Sequence, residues 1–390
     1  TMQAPSRCQA QLEQISILEK RFHQVMETDL DHLAKVSVLI NDCRRFGTLP
    51  FAHLARAGFV AMSLLHSLEN IGATTGEQTD CFLKSLNTVI GSFESDGWEV
   101  ADGRQTWKEF VSRYGHLRPG TYEITSPSYS EDPERYLRPT VKARPPDYSS
   151  GKAIDIWDED TKARIQGAIS SAGLHWTVNQ FEGFLRQAIE GREFSKFVFS
   201  RNLSAALDEL VMFGKTAGID RDQISHVGIQ SLLALNTEMS VTGDGPSLVD
   251  RAKDGEQWHR VAQALELPPL LVKTQDVFAH ERLPDQPNFV TRGQVVAEAI
   301  DLTYPPEDNT DLGGLIVLIP QADPGYDWLF GHGIAGLVTK YGGANSHMTI
   351  RAAEFGLPAA IGVGQATYDQ LSGARLIELD CSAHWVRVLQ

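Results

Sequence analysis

The run from Tyr341 to Pro358 leaves the backbone little choice. Gly342 and Gly343 permit a tight or closely approached turn. Asn345 and Ser346 are both helix-capping residues, and His347 to Glu354 then read as helical. Gly356 stands where a C-terminal glycine is favoured, and Pro358 stops any continuation. His347 is therefore expected in the first turn of a short helix, beside unpaired backbone N–H groups and the positive end of the dipole. Both favour negative charge. An imidazole nitrogen is also a competent nucleophile near neutral pH. Local physics thus gives a histidine at an anion-binding helix start, and leaves its use open.

The rest of the chain divides by texture. Leu12, Ile15, Leu18 and Phe22 recur at helical spacing, as do Leu33, Val36, Leu39 and Cys43 after a break at Thr28-Asp29. Thr48-Leu49-Pro50 reads as the start of a further helix, and others are expected over 78–93 and 107–114. The segment 115–151 is irregular, rich in Pro, Gly, Ser and Tyr; His116, Arg118 and Glu123 in it are able to bind an anion or an amide, or simply to be solvated. Helices resume from Asp158 or Asp160 to Ser171, over 178–216 with a break near Ser200–Leu203, over 220–235 and over 247–265. Arg192 and Lys196 lie four apart on one face, and Arg201 lies near the expected break. Those three are either a phosphate-facing cluster or a solvated face paired with Glu190 and Glu193. Short apolar runs at 313–319, 336–338, 359–363, 374–379 and 385–389 read as strands, with short helices near 327–330 and 346–355.

The fold class expected is therefore multidomain: a mainly α-helical domain over 1–267, a linker over 268–287, and a small α/β domain over 288–390. The net charge of −15 argues against nucleic acid or an anionic membrane surface as a partner. No apolar run of membrane-spanning length is evident, and no signal pattern opens the chain. The four cysteines are scattered without a CxxC pair, so no zinc site or disulfide framework is expected, and reduced thiols in the cytoplasm fit best.

The residues Gly342, Gly343, Ser346, His347, Glu354, Gly356, Leu357, Pro358, Ala359, Gly362 and Gly364 resemble the swivelling phosphohistidine domain of the phosphoenolpyruvate-utilising enzymes. Where many relatives carry Arg directly before the Glu, this chain has Ala353 and places Arg351 two residues earlier. The stretch Tyr114–Tyr129, together with Arg192–Lys196 and Arg201–Ser204, resembles the acceptor region of rifampin phosphotransferase-like proteins, and more closely that of capsule-associated L-glutamine kinases. The resemblance implies a β/β/α swivelling domain with His347 as the phosphoryl carrier. It implies Ser346, Gly343 and Arg351 at the phosphate, and His116, Arg118, Glu123, Arg192, Lys196 and Arg201 at the phosphate or acceptor, with His116 a candidate general base.

What the resemblance implies about chemistry is a dikinase-type kinase: ATP and Mg²⁺ load the histidine, releasing AMP and phosphate, and a small-molecule acceptor takes the phosphoryl group. The best acceptor is the side-chain amide of L-glutamine. Nothing in 1–286 resembles the ATP-grasp domain of full-length relatives. Since the chain opens on Thr1-Met2, it is expected to be the C-terminal part of a longer enzyme or to work with that domain in trans, with neither ATP nor a metal held by its own residues. Two alternatives stand beside a kinase: a condensing enzyme that uses the same carrier to activate a carbonyl, and a non-catalytic phosphorelay module.

Overall fold

The computed structural model describes residues 4–143, 157–238, 247–265, 273–278, 287–303, 310–344 and 346–390. Most of the expected linker 268–287, the end of the irregular segment 115–151, and Asn345 lie outside the described residues. Fourteen helices and seven strands are described. In chain order the helices are α1 Ala4–Met26, α2 His32–Asp42, α3 Leu49–Asn70, α4 Gly76–Lys84, α5 Val89–Ala101, α6 Trp107–Tyr114 and α7 Pro133–Tyr136, then α8 Glu159–Ser171, α9 Val178–Thr216, α10 Arg221–Ser225, α11 Ile229–Glu238 and α12 Leu248–Gln263, and finally α13 His347–Glu354 and α14 Gly364–Ser372. The strands are β1 Asn288–Val290, β2 Gln294–Asp301, β3 Ile316–Gln321, β4 Gly336–Tyr341, β5 Ala359–Ile361, β6 Leu376–Asp380 and β7 Trp385–Val388. Two compact units emerge: 1–116, 140–220 and 229–245 form the first, and 117–139, 221–228 and 246–390 the second. The second thus draws 117–139, 221–228 and α12 out of the region read as one helical domain.

The helical unit is built on α9, against which α1, α2 and α3 all pack. Its buried stripe, including Phe181, Leu185, Ala188, Val198 and Phe199, meets Ile15 and Leu18 of α1 and Leu54 and Leu65 of α3. Burying each leucine, isoleucine, valine or phenylalanine among them stabilises by roughly 1.5–3 kcal/mol. The helix is continuous through Ser200–Leu203, where a break was expected. Ser195 and Ser200 each return their hydroxyl to a carbonyl three residues back (3.0 and 2.9 Å), so the polar side chains are absorbed without interrupting the helix.

Thr48 makes no side-chain cap, and helical backbone runs on from α2 into α3 through a π-turn at Cys43–Thr48. Pro50 lies in the first turn of α3, as expected, but that turn follows directly on the π-turn rather than opening a separate helix. The expected helix over 78–93 is instead two, α4 and α5, because Thr88 caps α5 by accepting from the Gly91 N–H. The helix expected over 220–235 is likewise divided, into α10 and α11. Read as one helix, His32–Asn70 is long and apolar enough to cross a membrane by length and composition, which corrects the reading that no such run exists. Pro50 hides that continuity in the sequence. The apolar positions Leu33, Val36, Leu39, Leu54, Ala61, Leu65 and Leu68 are buried within the helical unit.

In the second unit, the strand order is β1-β5-β4-β3-β2-β6-β7. Strands β2, β3, β4 and β5 run parallel, while β1, β6 and β7 pair antiparallel at the flanks. Parallel strands are covered on both faces, which is why Ile316–Ile319 and Gly336–Thr339 are buried without alternation. The parallel arrangement brings the carboxyl ends of β2 to β5 to one edge, and with them Thr303, Asp323, Gly342, Gly343, Ser346 and Gly362. That edge is where open α/β sheets place ligands.

Cys8, Cys43 and Cys381 are buried, whereas Cys81 is exposed. Burial pushes the Cys43 thiol up to about 11 and raises Cys8 and Cys381 as well. A thiol of raised pKa carries little thiolate at neutral pH and reacts slowly. A maleimide at neutral pH is therefore expected to label Cys81 rapidly in the native chain and the other three only after unfolding. Rapid modification of more than one thiol by intact-mass analysis would contradict this packing.

Candidate functional site

His347 is the first residue of α13 and is half-buried. The turn that delivers it is closed by hydroxyls. The Ser346 backbone N–H donates to the Gly343 carbonyl at 2.9 Å, and Thr349 Oγ1 donates to the same carbonyl at 2.9 Å. Ser346 Oγ lies 2.8 Å from Thr349 Oγ1 and accepts from the Thr349 N–H at 3.4 Å, so Ser346 is the N-cap. Met348 and Ala352, both fully buried, anchor the opposite side of the helix. The helix ends as its glycine demands: with Gly356 at φ +64°, Leu357 N–H donates to Ala352 O at 2.8 Å and Gly356 N–H to Ala353 O at 3.2 Å.

Of the glycine pair, Gly342 carries the constraint. Its φ is +148°, and a Cβ there would stand 2.7 Å from Ala322 Cβ and 2.8 Å from Ile361 Cγ2. Gly362, at φ +75°, brings its own α-carbon so close that a Cβ would lie 2.4 Å from Gly342 O. Thr339 stitches the two loops together: its carbonyl accepts from Gly362 and Val363 N–H, both at 3.0 Å, and its hydroxyl donates to Tyr341 O at 3.0 Å. A Cβ at Gly343 would meet nothing within 4 Å, so Gly343 contributes its carbonyl rather than its lack of a side chain.

Arg351, four residues after His347 and so on the same helix face, lies over the Phe355 and Phe330 rings at 4.8 and 5.8 Å, and those rings stack on each other at 5.0 Å. Lys340, from the end of β4, lies over the Tyr341 and Tyr368 rings at 5.3 and 5.7 Å. The Tyr368 hydroxyl donates to Asp301 Oδ1 at 2.8 Å. Burial pushes Tyr326 up to about 12, and nearby Asp323, Tyr136 and Asp301 add to the shift. These acidic and aromatic groups at the carboxyl edge were not singled out in the sequence. The turn signal Asp323-Pro324-Gly325 was the cue available for Asp323.

The remaining sequence candidates separate between the two units. Arg118 and Glu123 belong to the same unit as His347, and His116, Arg192, Lys196 and Arg201 to the helical one. Arg118 is 2% exposed, and its Nη1 donates to Ser126 O at 2.7 Å, so it braces the loop from inside. Glu123 Oε1 accepts from the N–H and hydroxyl of Thr125, both at 3.1 Å. His116 packs its ring edge-on to Phe197 at 4.6 Å.

Arg192, Lys196 and Arg201 do not form one basic cluster. With α9 unbroken, Arg192 and Arg201 are about two and a half turns apart at 3.6 residues per turn, hence on opposite faces. Arg192 lies over Phe59 of α3 at 4.9 Å, whereas Arg201 lies over Phe22 of α1 at 4.6 Å and pairs with Glu19 at 3.3 Å. Burial lowers the Arg201 pKa, with Glu19 opposing. Lys196 lies one turn from Arg192 on the same face, and it too is half-buried. Glu190 and Glu193 accept from the Asn87 and Val89 N–H groups at 2.9 and 3.0 Å.

The segment 117–139 is a strap whose two ends join the helical unit in sequence and whose body packs with the sheet. Thr121 Oγ1 and N–H reach Asp323 Oδ1 at 3.0 and 3.4 Å. Tyr129 stacks on Tyr136 at 4.7 Å, and Tyr136 meets Trp328 edge-on at 5.8 Å. A cleft of about 250 Å³ opens between the end of the strap and the sheet, lined in part by Arg135, Arg138, Asp311, Trp328 and His332.

Comparison with known proteins bears on the same edge. Residues 313–384 match the family model described as "PEP-utilising enzyme, mobile domain". A rifampicin phosphotransferase of a Streptomyces species is 26% identical over 335 residues, covering 79% of this chain and 36% of the relative. A second, from Streptomyces sviceus, is 25% identical over 332 residues, covering 77% of this chain and 35% of the relative. The chain thus spans about a third of the length of the curated relatives it matches.

Proposed function

With residues 313–384 carrying the mobile domain of the PEP-utilising enzymes, we propose that His347 is a phosphoryl carrier in an ATP-dependent phosphotransferase. The observation that supports this best is His347 at the capped start of α13, on the carboxyl edge of four parallel strands, in a turn closed by Ser346, Thr349 and the Gly343 carbonyl. The free N–H groups and dipole of a capped helix start favour a dianion there. The carrier nitrogen takes a phosphoryl group in a loading reaction in which ATP and water yield AMP and inorganic phosphate. It then gives that group to a nucleophile of a small acceptor, whose proton must pass to a base, and His347 returns to its neutral form.

Loading requires an ATP-grasp domain, in cis or in trans, with ATP and Mg²⁺. Among the described residues no three His, Cys, Asp or Glu side chains gather as a metal site. No step of the transfer is routed through a metal held by this chain. For the acceptor we favour the side-chain amide of L-glutamine, on the resemblance of the Tyr114–Tyr129 and Arg192–Ser204 stretches. The names of the matched relatives favour rifampicin as the second reading.

The complete enzyme, incubated with ATP and either L-glutamine or rifampicin, is expected to convert one of them to a phosphorylated product and to release AMP. Mass spectrometry of the small molecules separates the readings. A phosphorylated amide supports the first and a phosphorylated rifamycin the second, whereas AMP release with a coupled product free of phosphate would replace both by a condensing enzyme.

A further inference from the structure

We infer that Asp323 is a docking latch for the carrier: by holding Thr121, it registers the 117–139 strap against the sheet edge that bears His347. The inference rests on the carrier reading only for its use, since the contact itself stands on geometry. One carboxylate oxygen accepts twice from one residue, from the Thr121 hydroxyl at 3.0 Å and its N–H at 3.4 Å. Charge-assisted bonds of this kind are the stronger class and are directional.

The position of Asp323 gives the latch its meaning. Ala322, the preceding residue, donates its N–H to Tyr341 O at 3.1 Å, and its Cβ is what any side chain at Gly342 would strike. Asp323 is therefore one residue from the wall of the turn that presents His347. On the strap side, Thr121 follows Gly120, whose N–H is held by Ser126 Oγ at 2.9 Å, while Ser126 O is held by the buried Arg118. The latch thus joins two braced loops, so little is lost to loop entropy when it closes. The Tyr136–Trp328 edge contact supplies a second point of attachment further along the strap. Two points fix an orientation where one would leave a pivot.

A carrier that visits two stations has to bind each one reversibly. A pair of hydrogen bonds to one half-exposed carboxylate suits this, because water replaces them when the contact opens. A wholly apolar seal would resist opening, and no contact at all would leave His347 unregistered.

The test reads docking without any phosphoryl chemistry. Nitroxide labels on Ser130→Cys and Gln370→Cys, in a Cys81→Ser background, report the separation of strap and mobile domain by pulsed dipolar spectroscopy. A narrow distribution is expected for this background. Asp323→Ala, which removes the acceptor of both bonds, is expected to lower the docked fraction relative to the undocked about tenfold, as loss of a hydrogen bond to a charged group implies; Thr121→Val, which keeps its backbone N–H donor, is expected to lower it by less, and the double variant no further than Asp323→Ala. Asp323→Asn, which keeps an acceptor, is expected to fall between. A broad distribution in the background protein, or an unchanged one in Asp323→Ala, overturns the latch. Thr121→Val lies on the strap, so a folding defect of the sheet cannot imitate its effect.

In the complete enzyme the latch predicts a split. Asp323→Ala is expected to leave ATP-dependent loading of His347 unchanged and to slow discharge to the acceptor; equal loss of both steps would make the residue merely structural. If His347 were never loaded, the carrier reading would fail while the distance measurement still decided the contact.

Discussion

His347→Ala is expected to abolish formation of acid-labile phosphate on the chain, and with it every acceptor phosphorylation, a loss of at least about 10³-fold as for removal of a covalent nucleophile. The substitution should leave the fold intact. His347 occupies the first position of α13, where alanine is well tolerated, and the helix is held by the buried Met348 and Ala352 and capped by Ser346. The comparison of interest is therefore between equally folded proteins, checked by circular dichroism. Tryptic mass spectrometry at alkaline pH, after incubation with ATP and the ATP-grasp half, reads the result directly. The chain has 12 histidines, so persistence of the acid-labile mass on the alanine variant would move the carrier role to another of them.

The second large effect concerns the adjoining glycines. Gly342→Ala is expected to destabilise the sheet domain by about 3 kcal/mol, combining a positive φ that L residues adopt poorly with overpacking against Ala322 and Ile361. For a domain of this size that lowers the melting transition by on the order of 10 °C. Gly343→Ala, next in sequence, is expected to change stability by less than about 0.5 kcal/mol, because its Cβ would enter open space. Calorimetry of the two variants side by side is the measurement. Equal losses would mean that the turn is held by the pair as a flexible unit. A selective loss at Gly342 means that the close approach of the Gly342 and Gly362 loops builds the turn that presents His347.

The contrast between these neighbours shows where sequence reasoning reached its limit. The pair is visible as a motif, but which member is obligatory depends on Ala322 and Ile361, which come from the ends of β3 and β5. The basic residues of α9 make the same point. Arg192 and Lys196 are correctly read as sharing a face, because four residues is a local spacing. Adding Arg201 to them required a break in the helix, and Ser195 and Ser200 close that possibility by bonding back to their own helix. Arg118 read as a candidate ligand is in the fold a buried brace for its own loop. Charge and loop position alone do not distinguish these roles, since an arginine that binds a carbonyl and one that binds a phosphate use the same donors.

What the sequence determined by itself is local: the start, cap and stop of α13, the amphipathic helices around α9, and the buried strands β3 to β5. Each is set within one turn of helix or one strand, by hydrogen bonds and periodicity that span a few residues. The tertiary structure alone decided what lies beside His347. Sheet order brought Thr303, Asp323, Gly342 and Gly362 to one edge, and the strap delivered Thr121 to Asp323 across 202 positions of chain. Contacts at that separation are selected by the burial of the whole sheet and by the pairing order of its strands, and no short stretch of sequence encodes that order.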